Sequence, residues 1–285
     1  MRRGLVQSGG GSRIDVLLMA MKIISIRYRP DWLGGVSSGL LACLAYEFDV
    51  VSDVLQRAMN DDLRWIKRKP IDNDGRITWS GIWNIISGKN YLGAQEEDKM
   101  IQLWITEEQW ERYRRLGNPI YGMCVAVEDG ERWVQDLRCL SYEDMLLFVS
   151  ASCRVPFWTK PVAIRRGDEV KHWADGGWRD HNPSVIIMSM YERDTTELVS
   201  ISTRPIVQPG YPTGLLGMLS KVIGIYGVET TLADEEIERI YCKDNNIRRY
   251  FRRLRDCKNH PYDTDASRSI ESVRWTMEDM TDFDW

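Results

Sequence analysis

The residue types of the pentapeptide Gly35-Val36-Ser37-Ser38-Gly39 suggest nucleophilic chemistry. It fits the pattern G-x-S-x-G, in which a strand turns sharply into a helix and lifts a serine hydroxyl above a sheet. Strand-like residues precede it and a helical pattern follows it, although an ordinary turn of small residues has the same composition. We interpret Ser37 as a candidate nucleophile, with Gly35 and Gly39 making room for the turn.

A run of three glycines lies between the first strand-like segment and the first helical one: Gly9, Gly10 and Gly11. Consecutive glycines expose backbone N–H groups, and the N-terminus of the next helix adds partial positive charge. Such a loop can hold a phosphate, or the oxyanion of an acyl-transfer intermediate. Dinucleotide and Walker loops are excluded, because Ile14 occupies the third glycine position and no Gly-Lys-Ser/Thr is present.

A serine nucleophile needs a base, and histidines are scarce: His172, His181 and His260. His260 is the only one far downstream, in a loop-like stretch, and we interpret it as a surface residue. The other candidate is Asp175, in Asp175-Gly176-Gly177. Asp-Gly is often only a hairpin turn. Here it is preceded by Val155-Pro156-Phe157-Trp158 and followed by Asn182-Pro183.

In this order, three blocks resemble the patatin-like phospholipase family: Gly9 to Arg13, Gly35 to Gly39, and Ser150 to Trp158 continuing to Asn182-Pro183. The resemblance spans residues 3–203 of the chain. It implies an α/β fold of three layers with a mostly parallel central sheet. It also implies a Ser–Asp dyad, with Ser37 as nucleophile and Asp175 as general base. The glycine run would be the oxyanion hole, supported by Arg13, Gly35, Gly39, Gly176 and Gly177.

The implied chemistry is reasonable without a histidine. A carboxylate with a pKa of about 4 is a poor base for a hydroxyl, but burial raises that pKa. An ester leaves as an alkoxide, which needs less proton assistance than an amine. A dyad therefore suits esters better than peptides.

The glycine loop departs from the family pattern, because Arg13 is followed by Ile14 where the family usually has glycine. The entry into the helix is altered, while the N–H groups of Gly10 and Gly11 remain. For Arg13 itself three roles stay open: orienting the loop, binding a phosphate head group, or lying on a helix surface.

A second apolar feature bears on lipid binding. Trp79, Ile82, Trp83 and Ile86 share one helical stripe. Trp79 and Trp83 could contact lipid from an interfacial helix. Most amphipathic helices instead pack on a core, and we favour packing on the sheet.

Composition narrows the function classes. The 285 residues include 38 Lys and Arg against 42 Asp and Glu, so a globally basic nucleic-acid binder is excluded and no nucleic-acid partner is expected. The six cysteines form no C-x-x-C pair, and we expect no metal and no cofactor. The apolar run from Ile14 to Ile26 is too short and too charged to span a membrane. We expect a cytoplasmic protein without a signal peptide, in transient contact with a membrane surface.

The chain divides into a predicted core and a predicted extension. Residues 1–205 carry the motifs, and residues 206–285 are predicted to be a helical C-terminal extension. Ala233 to Asp256 is the clearest predicted helix. Beside its apolar stripe lies an arginine cluster: Arg248, Arg249, Arg252, Arg253 and Arg255. That cluster could contact anionic lipid or nucleic acid, but pairing with nearby carboxylates is the simpler interpretation. Lys258 to Trp285 is predicted to be loosely held.

We therefore expect a lipid acyl hydrolase of phospholipase A type, cleaving acyl esters of glycerophospholipids through an acyl-enzyme. Two alternatives remain. One is an esterase or acyltransferase acting on soluble or non-phospholipid esters. The other is a catalytically silent binding or scaffold protein that keeps the fold.

Overall fold

The computed structural model of the chain describes residues 1–59, 79–87, 97–156, 159–203, 214–255 and 266–281. Within these residues one sheet is formed by eight strands: β1 Arg2–Gln7, β2 Trp32–Gly35, β3 Ile120–Ala126, β4 Arg132–Asp136, β5 Val162–Arg166, β6 Glu169–Asp175, β7 Thr195–Thr203 and β8 Arg248–Leu254. The strand order is β5-β6-β3-β2-β1-β7-β8, and β4 pairs with β3 outside this path.

The α-helices of the same residues are α1 Ile14–Ile24, α2 Ser38–Glu47, α3 Val51–Met59, α4 Trp79–Ile86, α5 Glu97–Trp104, α6 Glu107–Leu116, α7 Tyr142–Ser152, α8 Ser184–Met190, α9 Gly214–Asp244 and α10 Ala266–Thr281. No helix in the described ranges is both long enough and apolar enough to cross a bilayer.

Five neighbouring strands, from β3 through β2, β1 and β7 to β8, run parallel, whereas β4, β5 and β6 add antiparallel pairs. Gln7 at the end of β1 is in register with Gly35 at the end of β2. The segments that follow these two residues therefore leave the sheet side by side, at the edge where ligands of α/β proteins gather.

The sheet is covered on both faces. Leu5 and Leu33 belong to a core shared with α1 and α2, which we call the main core. Val6 and Trp32 belong to a second core shared with α8 and α9. Adjacent residues of one strand enter different cores because strand side chains alternate between faces. The predicted α/β fold with three layers is confirmed.

Two local features follow from the residue types at the ends of elements. Helix α6 begins at a capping box, in which Thr106 Oγ1 accepts from Gln109 N at 3.2 Å and Gln109 Oε1 accepts from Thr106 N at 2.8 Å. Asp129-Gly130 joins β3 to β4 as an antiparallel hairpin, and Gly130 has a φ of 73°.

The predicted helix from Ala233 to Asp256 is wrong beyond Asp244. Helix α9 ends there, and Arg248–Leu254 is strand β8, parallel to β7. Apolar residues at positions 247, 251 and 254 fit a helical stripe, but pairing with β7 overrides local preference. Asn246, with a φ of 55°, makes the turn.

The arginine cluster lies largely on β8 and is paired with carboxylates. Arg248 contacts Glu197 at 3.3 Å, Arg249 contacts Glu238 at 2.6 Å, and Arg253 pairs with Glu235. The simpler interpretation of this cluster is confirmed for these three residues.

The expectation of a loosely held tail is wrong for residues 266–281. They form α10, which packs against α1, and Val273 and Met280 join the main core. Arg255 contacts Asp279 at 2.8 Å. The predicted surface residue His260 lies outside the described residues, as do Phe157 and Trp158. The division at residue 205 stays a prediction, although β8 beyond it completes the same sheet as β1.

The packing of α10 can be tested by truncating Met280, which is 2% exposed. Met280→Ala should lower the free energy of unfolding by about 2–5 kcal/mol, because it opens a cavity in the core. Met277→Ala is the matched control, since Met277 on the same helix is 50% exposed. Equal effects of the two variants in urea denaturation would contradict the packing.

Candidate functional site

Ser37 lies between the end of β2 and the start of α2, in a conformation that side chains rarely adopt. Its φ is 57° and its ψ is −130°. Such backbone strain in a non-glycine residue is held by its surroundings and is common at active sites. The residue is buried, and a strained residue between a strand and a helix is the geometry expected of a nucleophile elbow.

The flanking glycines are required by close backbone contact. A Cβ atom on Gly35 would lie 2.6 Å from the carbonyl carbon of Gly39, and one on Gly39 would lie 2.5 Å from the carbonyl oxygens of Gln7 and Ser8. Alanine at either position would push α2 away from the ends of β1 and β2. The spacing of the motif is therefore explained by packing.

Asp175 is the last residue of β6, and its carboxylate contacts Ser37. Its carboxylate accepts a hydrogen bond from the Ser37 hydroxyl and another, 2.8 Å long, from the N–H of Gly177. Gly176 lies so close to the Met123 carbonyl oxygen that a Cβ atom would approach it within 2.7 Å. The Asp-Gly-Gly turn thus requires small residues for packing and an acid at its first position for the contact with Ser37.

The environment of Asp175 changes its acidity. Burial raises the pKa of Asp175 to about 6, against the opposing effect of the hydrogen bonds from Ser37 and Gly177. The side chain is 5% exposed. A carboxylate with this pKa is a better proton acceptor at neutral pH than an ordinary aspartate, and most of it is still ionised there.

Ser152, at the end of α7, ties the elbow to the sheet. Its hydroxyl accepts from the Ser37 N–H at 3.2 Å and donates to the Met123 carbonyl oxygen at 2.6 Å. Ser152 belongs to the third block of the resemblance, but nothing in its local sequence indicates this contact.

The glycine loop lies beside Ser37, since a Cβ atom on Gly9 would be 3.4 Å from Ser37 Cβ. Gly11 has a φ of 58°, which favours glycine. The N–H of Gly9 donates to the His181 carbonyl oxygen at 3.2 Å. The N–H groups of Gly10 and Gly11 have no acceptor among the described residues. Of the three predicted oxyanion donors, these two are therefore available, while Gly9 is already bonded.

Arg13 is buried under the same loop. Its backbone N–H and its guanidinium Nη1 both donate to the Gly10 carbonyl oxygen, at 3.2 and 3.4 Å. These contacts fit the role of orienting the loop and do not fit a residue on a helix surface. Ile14, the departure from the family pattern, begins α1 and packs into the main core.

The structure adds His181 to the site, which the sequence does not predict as a site residue. A Cβ atom on Gly9 would lie 3.5 Å from its Cε1, and one on Gly177 would lie 3.7 Å from its Nδ1. Burial and the nearby Arg13 guanidinium lower the pKa of His181 to about 4, so the ring is neutral at physiological pH. Its position between Asp-Gly-Gly and Asn182-Pro183 was the only signal in the sequence.

The two tryptophans predicted for lipid contact are exposed: Trp79 by 85% and Trp83 by 67%. The preferred expectation, that this stripe packs on the sheet, is wrong for both. Gly81 is buried, so α4 packs through a different side. The neighbouring residues 60–78 and 88–96 lie outside the described residues.

Within the described part of the chain, no group of three His, Cys, Asp or Glu side chains could hold a metal ion. The groups that lie near one another are a strained serine, a buried carboxylate of raised pKa and a glycine loop with two N–H groups that lack an acceptor among the described residues. That arrangement can transfer a proton from the serine and stabilise an oxyanion, which are the two requirements of acyl transfer.

Two comparisons with known proteins give a match, one to a family and one to a solved structure. The sequence model of the patatin-like phospholipase family matches residues 5–186. Among solved structures, the crystal structure of VipD from Legionella pneumophila aligns with a TM-score of 0.46 and 12% identity, covering 99% of this chain and 67% of that one. No curated protein matches the chain. Since the family model covers more than half of the sequence and includes every residue of the candidate site from Gly9 to His181, the chain belongs to the patatin-like phospholipase family.

Proposed function

We propose that the protein is a phospholipase A-type hydrolase that cleaves acyl esters of glycerophospholipids with Ser37 and Asp175. The observation that carries the proposal is the hydrogen bond from the Ser37 hydroxyl to a buried carboxylate whose pKa is raised. Family membership supports the lipid acyl ester as the class of substrate. The proposed reaction needs no metal or cofactor.

In the acylation step, Ser37 Oγ attacks the ester carbonyl carbon while Asp175 accepts the hydroxyl proton. The carbonyl oxygen becomes an oxyanion, which the N–H groups of Gly10 and Gly11 stabilise by about 3 kcal/mol each. The N–H of Ser38, the residue after the nucleophile, is a third candidate donor. The C–O bond to the alcohol then breaks, and the alcohol leaves with the proton from Asp175.

In the deacylation step, water replaces the alcohol. Asp175 accepts a proton from the water as its oxygen attacks the acyl carbon, and the same N–H groups hold the second oxyanion. Ser37 Oγ leaves and takes the proton back, which releases the fatty acid and restores the free enzyme. The lysolipid and the fatty acid together account for the substrate and one water molecule.

The exposed tryptophans provide a means of reaching lipid in a membrane. Trp79 and Trp83 present two large aromatic side chains to solvent from one short helix. Tryptophan prefers the boundary between water and acyl chains. We assign these residues to transient contact with the membrane surface.

Removing either member of the dyad should remove activity. Ser37→Ala should abolish release of fatty acid from phospholipid vesicles, and Asp175→Asn should reduce it by about 10²–10⁴-fold, because the base is lost. A fluorophosphonate probe should label the wild-type protein at Ser37 and leave Ser37→Ala unlabelled.

Matched controls are available on exposed sites. Ser25→Ala and Asp194→Asn make the same chemical changes at exposed positions and should keep the wild-type rate. A wild-type rate in Ser37→Ala or Asp175→Asn would rule out the dyad, and a wild-type protein without labelling or hydrolysis would favour a catalytically silent binding protein.

The raised pKa of Asp175 predicts the pH dependence. As a base Asp175 must be ionised, so kcat/KM for a short-chain p-nitrophenyl ester should rise as pH increases through about 6. Because the folded-state pKa is above the unfolded value, stability from the neutral carboxyl is fully present below about pH 4 and is lost as pH rises through about 6. A rate that is flat between pH 5 and 7.5 would contradict Asp175 as the base.

The tryptophans should affect the rate of hydrolysis of phospholipid vesicles but not that of a soluble substrate. The double variant Trp79→Ala, Trp83→Ala should slow hydrolysis of phospholipid vesicles several-fold, since aromatic area at the interface is lost. Its rate on a soluble p-nitrophenyl ester should be unchanged. Leu116→Ala, which removes an exposed apolar side chain elsewhere, is the control. Equal losses on both substrates would refute a membrane contact, and a soluble ester preferred over vesicles by the wild type would identify an esterase.

A further inference from the structure

We propose that Asp234 and Glu238 of α9 are positioning residues, which hold residues 180–184 and, through them, the glycine loop against Ser37. The inference rests on the proposed function and extends it to two residues of α9, which lie beyond the end of the family match at residue 186. The segment 180–184 follows Asp175-Gly-Gly and is here called the post-aspartate loop.

The first contact joins α9 to the backbone of the post-aspartate loop. Asp234 Oδ2 accepts the His181 N–H at 2.6 Å and the Asn182 N–H at 3.2 Å. On the other side of the same residue, the His181 carbonyl oxygen accepts the Gly9 N–H at 3.2 Å. A single residue therefore connects the Asp234 carboxylate to the glycine loop.

The second contact joins the post-aspartate loop to α9 and β8 through a fully buried carboxylate. Glu238 Oε2 accepts from Asn182 Nδ2 at 2.7 Å and from Ser184 Oγ at 2.5 Å. Glu238 Oε1 accepts from Arg249 Nε at 2.6 Å. A buried charge is tolerated only when it is paired and hydrogen-bonded, and here both oxygens are occupied.

The contacts fix more than the loop that makes them. The His181 ring lies beside Gly9 and Gly177, so a shift of the post-aspartate loop moves groups on both sides of Ser37. A displacement of about 1 Å in an active site can reduce the rate by about 10²-fold. The C-terminal segment is thereby part of the catalytic unit and not a detachable extension.

The charge of Asp234 gives the contact a second signature. Burial raises the pKa of Asp234 to about 7, helped by Asp180 and opposed by the N–H groups of Asn182 and His181 and by Arg132. Asp180 lies on the post-aspartate loop and pairs with Arg132 of β4. Since N–H groups bond more strongly to a carboxylate than to a neutral acid, the loop is held more firmly above neutral pH.

The test uses the full-length protein with Asp234→Asn, and Glu236→Gln as its matched control. Both variants remove one negative charge from α9, but Glu236 is exposed and pairs only with Arg239 among the described residues. Asp234→Asn should lower kcat on a p-nitrophenyl ester about tenfold with little change in KM, because Ser37 and its oxyanion donors are misaligned. Glu236→Gln should behave as wild type.

The pH profile separates positioning from a general loss of stability. The wild-type profile of kcat should need two ionisations, near 6 and near 7, whereas that of Asp234→Asn should keep only the lower one. Thermal unfolding checks that the variant is folded at the assay temperature. Should Asp234→Asn not fold, Asp234→Glu, which keeps the charge but moves the oxygens by one methylene, is used and should also lower kcat.

Hydrogen exchange tests the contact without catalysis. The amides of Gly9, His181 and Asn182, which are hydrogen-bonded in this contact, should exchange faster in Asp234→Asn than in Glu236→Gln. Unchanged exchange and unchanged kcat would overturn the positioning role. If Asp234→Asn exchanges faster but the wild-type protein neither hydrolyses an ester nor reacts with the fluorophosphonate probe, the contact is established and the proposed lipase function is refuted. The two failures are therefore distinguishable.

Discussion

The close approach of α2 to the end of β1 is the constraint on which the site depends. Gly39 lies against the carbonyl oxygens of Gln7 and Ser8, so no side chain fits between the helix and the strand. Because the glycine loop continues directly from β1, this contact brings its N–H groups beside Ser37. The absence of a side chain at Gly39 thus determines the separation between Ser37 and the N–H groups that would stabilise the oxyanion of the substrate.

The site concentrates buried polar groups at one edge of an otherwise apolar fold. Asp175 and His181 both have pKa values shifted toward the neutral form, which shows that burial outweighs their hydrogen bonds. The amide of Gln7, at the end of β1, is buried with neither polar atom partnered among the described residues. Each such group reduces stability. A protein that keeps them here is stabilised elsewhere, by the two apolar cores on the faces of the sheet.

The sequence predicted those features that depend on local geometry. Small residues around Ser37 and Asp175 indicate tight turns, so these turns could be predicted directly. Strand β8 could not, because its apolar spacing satisfies both a helix and a strand, and only its pairing with β7 decides between them. The contacts of Asp234 and Glu238 join residues more than fifty positions apart, and no local pattern records such a pairing.

The placement of β1 between β2 and β7 has a consequence for the order of folding. The Thr203 hydroxyl bonds to the Gly9 carbonyl oxygen across 194 positions of sequence, and β8 is added beyond β7. Contacts of such long range form slowly, because the intervening chain must first be brought together. During synthesis, Ser37 leaves the ribosome well before the strand that completes its side of the sheet. The serine and the glycine loop are therefore present in the nascent chain long before the framework that aligns them can exist.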